Sequence, residues 1–100
     1  MLSNSASAAP PTEVMVCHFP PGNEDNPQEI IVGPIAALAH VELHPMDHLG
    51  SCDKDPVCAQ RCFDFAFSTH ACFAGPDQIQ CQKDNVVSAA ACVANTCEPK

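Results

Sequence analysis

Four imidazoles stand between two thiols in the first half of this chain. Cys17 and Cys52 bracket His18, His40, His44 and His48, four of its five histidines, with Asp47 among them. Imidazole and carboxylate together suit Zn²⁺, with Cu²⁺ and Ni²⁺ as competitors by affinity. His40 and His44 are four residues apart, so on a helix both project from one face and can share an ion. His18 leaves a strand beside a proline-locked turn and can approach them from across the fold. Asp47 or His48, just past a helix break, can complete a tetrahedral set. The plainer alternative is that the helix histidines are simply solvated and that His18 holds the turn by hydrogen bonds. Any ion here is expected to be structural, because nothing else in the chain resembles substrate-handling machinery.

The elements that must position these residues are marked by local signals. Val14 to His18 is apolar and β-branched enough for a strand, Pro20-Pro21-Gly22-Asn23 is a turn, and Glu29 to Val32 is a second strand. Gly33-Pro34 opens an Ala-rich helix with proline at an early position, and Pro45 ends it. Asp55-Pro56 reads as an N-cap and first helical residue, leading a helix to about Phe73. Gly75-Pro76 breaks it, and a further helical stretch from about Asp77 to Thr96 follows, either continuous or restarting at Asn85. Residues 1–13 are small, polar and proline-containing, and read as a flexible arm. The division is then 1–13 arm, 14–52 Cys/His module and 53–100 helical hairpin.

Eight cysteines in 100 residues exceed ordinary usage and favour a disulfide framework. Cys17–Cys52 would close the first module. Beyond it, cysteines fall at 58, 62 and 72 before the Gly75-Pro76 turn and at 81, 92 and 97 after it. Six cysteines allow 15 pairings. Reflection about the turn favours a nested ladder of Cys72–Cys81, Cys62–Cys92 and Cys58–Cys97 across an antiparallel helical hairpin. Such a framework belongs to an oxidising compartment: extracellular, periplasmic or the mitochondrial intermembrane space. The C-x-x-C pairs of a zinc ribbon are missing.

Composition excludes several functions. Net charge is −8 with four basic residues, too few to displace counterions from nucleic acid or an anionic membrane. No apolar run reaches the roughly 18 residues of a membrane span. The opening MLSNSASAAPPTEV lacks a basic and then apolar leader, and reads as the tail of a signal peptide or the start of a chain imported without one. Catalytic arrangements fare poorly. Cys17 beside His18 would project to the opposite strand face, and eight paired cysteines leave no thiolate. Ser68, Thr69 and His70 lack a nucleophile motif. Phe63, Phe65, Phe67 and Phe73 are expected to form core rather than a ligand groove. Glu24, Asp25, Asp53 and Asp55 read as solvated turn charges, and Pro20 to Asn23 as a turn, not a phosphate loop.

Val16-Cys17-His18, Pro20-Pro21-Gly22-Asn23, Asn26, Ile31, Val32, Ala39-His40, His44, Asp47 and Leu49-Gly50-Ser51-Cys52 carry a resemblance. They are similar to a short secreted module, mostly bacterial, with the pattern V-C-H-x-P-P-G-N…A-H-L-x-H-G-D-x-L-G-x-C. That resemblance covers about forty residues, supports His18, His40 and His44 as the module's histidines, and implies no activity. This chain has HVELHPMDHLG where the module has a tighter run, and His48 is an addition. The cysteines at 62, 72, 81 and 92 resemble the paired-cysteine hairpins of the mitochondrial intermembrane space. The run from Asp55 to Cys97 also resembles the fungal CFEM domain, which implies Asp77 as a haem-iron ligand, although only Cys81 stands where that family has two cysteines.

The reading is a small disulfide-rich α+β protein, a ββα-like N-terminal unit followed by a disulfide-stapled α-helical hairpin. Its expected function is a non-enzymatic secreted or surface-associated interaction module, with zinc as the candidate cofactor and another protein or surface assembly as partner. The alternatives are an accessory subunit of a larger assembly and a haem or small-ligand carrier.

Overall fold

The structure, a computed structural model, describes residues 13–99; residues 1–12 of the expected arm lie outside the described residues. The chain runs β1 (Val14–His18), β2 (Gln28–Val32), α1 (Pro34–Leu43), β3 (His48–Leu49), α2 (Pro56–Thr69) and α3 (Gln78–Thr96). It is a small α+β fold stapled by four disulfides.

β1 is the centre of a three-stranded antiparallel sheet ordered β2-β1-β3. Val14 pairs with Val32 and His18 with Gln28 on one side, and Val16 with Leu49 and Cys17 with His48 on the other. Strand alternation turns Val14 and Val16 to one face, where they are buried with Leu49 of β3 and Ala37 and Leu38 of α1. Pro34 supplies the first helical residue of α1, and the helix stops two residues short of Pro45. β3 was not expected. Two residues are too few to show a period, and the strand exists only because β1 offers it a free edge.

α2 begins as expected: Asp55 accepts a hydrogen bond from the Val57 N–H, and Pro56 follows it. It ends at Thr69, earlier than the expected Phe73. Thr69 Oγ1 and Ser68 Oγ both donate to the Phe65 carbonyl, competing with helix continuation at that turn. α3 is one helix without a restart at Asn85. The Asn85 side chain is buried and donates to the His70 carbonyl at 2.7 Å, so the polar residue that reads as a new cap instead ties α3 to the end of α2.

The disulfides are Cys17–Cys52, Cys58–Cys97, Cys62–Cys92 and Cys72–Cys81, the last three nesting across the α2–α3 hairpin. One buried cluster takes Val16, Leu38 and Leu49 from the first half and Phe63, Val86 and Val93 from the second, so the two halves share a core. Gly50 lies at their junction with φ +92°, and a Cβ there would sit 2.6 Å from Val93 Cγ1. The phenylalanine expectation is corrected in part. Phe63 is buried and stacks on Phe67 at 4.8 Å, but Phe65 and Phe73 are 68% and 80% exposed. Residues two apart on a helix face opposite ways, which sends Phe65 outward. Among the described residues no helix is long and apolar enough to cross a membrane.

Candidate metal centre

Strand parity assembles the site. Cys17 and His48 are partners across β1 and β3, so their side chains share one sheet face. His18, the next residue of β1, and Asp47, the residue just before β3, are thereby turned to the opposite face, the one α1 covers. α1 brings His40 in its last turn and His44 at its C-cap. Pro45 cannot continue the helix, and the Asp47 N–H bonds the His44 carbonyl at 3.0 Å. That turn carries the Asp47 carboxylate back beneath the helix end.

There the carboxylate takes three donors. Oδ2 accepts from His18 Nδ1 at 2.7 Å and from His40 Nδ1 at 2.9 Å, while Oδ1 accepts from the Phe19 N–H at 2.9 Å. The Asp47 side chain is fully buried, whereas those of His18 and His40 are 20% and 23% exposed. Burial pushes the Asp47 carboxyl up, but the bonds from His18, Phe19 and His40 outweigh it and hold the pKa below the ordinary carboxylate value. An ionised carboxylate only accepts, which assigns a proton to each of the two Nδ1 atoms. In the neutral imidazoles Nε2 is then a free lone pair. The negative end of the α1 dipole lies at the same place and favours a cation.

Of the five residues expected here, His18, His40 and Asp47 come together with ligand atoms within 4.8 Å of one another. His44 stands beside them, its ring centroid 5.9 Å from that of His18 and 5.7 Å from that of His40. His48 does not join, which corrects its expected place in the site. It is buried on the other sheet face, its Nδ1 donates to the Leu49 carbonyl at 2.9 Å, and its Nε2 has no partner. The pairing of His48 with Cys17 dictates this, and no sequence signal announces a two-residue strand. The Phe19 N–H was also missed, since any residue type supplies a backbone donor.

Cys58, Cys62 and Cys97 also lie close together. Each is consumed in a disulfide, and an oxidised sulfur is no thiolate ligand. The imidazole–carboxylate group is therefore the better donor set. Asp77 lies at the exposed N-cap of α3 in a hollow at the hairpin tip beside Phe73. Phe63 and Phe67 are packed into or against the core, so the four phenylalanines do not gather around Asp77. No protein-family model, curated protein or solved structure matches this chain.

Proposed function

We propose that this chain is a non-enzymatic binding module, secreted or surface-associated, that holds a zinc ion at the His18–His40–Asp47 cluster. The observation that carries this reading is the convergence of two imidazoles on one buried carboxylate at a helix C-terminus. A carboxylate behind a histidine fixes its tautomer and raises its basicity, the usual arrangement behind metal-binding imidazoles. The cluster draws on β1, the end of α1 and the approach to β3, so an ion there would cross-link three elements of a small fold. Four disulfides are compatible with an oxidising compartment, which supports a place outside the cell or in the periplasm.

A second reading is an accessory subunit of a larger assembly, for example in the mitochondrial intermembrane space. It is favoured by exposed large apolar side chains on the hairpin, Phe65, Phe73 and Ile79, which a partner protein would cover.

Native mass spectrometry of protein purified without chelator tests the zinc reading. A mass eight hydrogens below the reduced chain, plus one zinc that His40→Ala removes, is the expected result. An oxidised chain that takes up no zinc on titration would overturn it.

A further inference from the structure

Three of the four disulfides bury one cysteine: Cys17, Cys62 and Cys97 are 0%, 5% and 4% exposed. The fourth, Cys72–Cys81, has neither partner buried. It stands at the tip of the hairpin, joining the irregular connection after Thr69 to the start of α3. Its sequence separation is 9, against 35, 39 and 30 for the others. Chain entropy therefore gives it the smallest share in holding the fold. Opening it leaves the hairpin closed by Cys62–Cys92 and Cys58–Cys97.

The two sulfurs are not equivalent. Cys81 lines a hollow of about 310 Å³ with Phe73 and Pro76, and another of about 400 Å³ with His70 and Asn85. Cys72 lines neither and is held from within. The buried Asn85 side chain donates one Nδ2–H to the His70 carbonyl at 2.7 Å and has its other for Cys72 Sγ at 3.3 Å. The same nitrogen is 3.9 Å from Cys81 Sγ. Asp77 and Asp84 lie four residues before Cys81 and three after it, on its side of α3. A thiolate released at Cys72 thus meets an N–H donor, whereas one released at Cys81 stands between two acidic residues.

In thiol–disulfide exchange an incoming thiolate attacks one sulfur and expels the other, and a better-stabilised leaving thiolate departs faster. Access and stabilisation agree when Cys81 is attacked and Cys72 leaves. Phe73 shares a hollow with Cys81 and is 80% exposed, so an apolar segment bearing the thiol has a surface to lie on.

We infer that Cys72–Cys81 is a redox-active disulfide that oxidises a dithiol carried on an apolar segment of another polypeptide. The first partner thiolate bonds to Cys81 Sγ as the Cys72–Cys81 bond breaks, and the electron pair leaves on Cys72 Sγ beside the Asn85 N–H. The second partner thiolate attacks the mixed disulfide at the partner's own sulfur and expels Cys81. The partner loses two electrons and two protons, and Cys72 and Cys81 gain them as two thiols. This exchange is independent of the metal reading and consumes the disulfide once per chain.

The test mixes the full oxidised chain, in EDTA, with a synthetic peptide carrying two reduced cysteines among leucines, and reads both by mass spectrometry after alkylation. The peptide should become oxidised, with alkyl groups on Cys72 and Cys81 while the other six cysteines stay paired. A version of the peptide with a single cysteine should be trapped on Cys81. Asn85→Ala should slow the exchange about tenfold, the worth of one hydrogen bond to a charged sulfur, while the far-UV circular dichroism stays native. Phe73→Ser should slow the peptide but not dithiothreitol. A peptide that stays reduced, alkylation that appears first on another pair, or trapping on Cys72 would overturn the inference, whether or not Asn85→Ala folds. An unchanged rate in folded Asn85→Ala, or an unchanged peptide rate in Phe73→Ser, would overturn it equally.

Discussion

Asp47→Ala is the substitution that most directly probes how the site is built. It removes the acceptor for three donors in one step. The part-buried Phe19 N–H, left without a partner, costs about 1–3 kcal/mol. The His18 and His40 rings are partly exposed and can turn to water, so each lost bond adds about 0.5–1 kcal/mol. Against this stands the relief of no longer burying a charge. The net loss should be about 2–3 kcal/mol at neutral pH, measured in EDTA by urea unfolding with the disulfides intact.

The effect must also depend on pH. The folded-state pKa of Asp47 is depressed, so its stabilisation is complete above the ordinary aspartate value of about 4 and is lost as pH falls through the lower folded value. Wild type and Asp47→Ala should therefore converge in acid. A gap that stays the same from pH 7 to about pH 2, or one under about 0.5 kcal/mol at pH 7, would refute the assignment of Asp47 as an ionised buried acceptor.

Gly50→Ala combines a positive φ with a Cβ driven into Val93 and should cost about 2–5 kcal/mol in the same urea assay. Val93→Ala placed beside it should recover part of that loss, and strict additivity of the two changes would count against the clash. Phe63→Ala should cost about 3–5 kcal/mol, whereas Phe65→Ser should stay within about 0.5 kcal/mol, a contrast that thermal unfolding can read. Replacing Cys72 and Cys81 by serine opens a loop of sequence separation 9, against 39 for Cys58 and Cys97. Loop entropy predicts losses of about 2.6 and about 3.9 kcal/mol respectively, and the reverse order in urea unfolding would contradict that account.

Much of the fold was legible because its signals are local. Pro34 starts α1 and Pro45 forbids its continuation, and Asp55 caps α2 through its own side chain. The cysteine ladder was legible because an antiparallel hairpin folded about Gly75-Pro76 brings mirror-related positions together, along the helices for Cys62–Cys92 and across the connection for Cys72–Cys81. Phe65 was misjudged because apolar type was read without helical phase, and Phe73 because α2 ends at Thr69, before reaching it. The choice between a continuous α3 and a restart at Asn85 stayed open because a polar side chain inside a helix looks like a boundary until its partner, the His70 carbonyl, is known.

The candidate site divides along the same line. By itself the sequence determined which donors exist and that His40 and His44 lie one helical turn apart, since helix geometry follows from spacing alone. Only the tertiary structure decided which of the others could reach them. The pairing of Cys17 with His48 sends His18 and Asp47 to the α1 side and His48 to the other. Strand register is a long-range property, and a shift of one residue would exchange His48 for Asp47 beneath the histidines. The common core of the two halves was decided in the same way, by contacts between Val93 and the Gly50 junction that lie 43 residues apart in the chain.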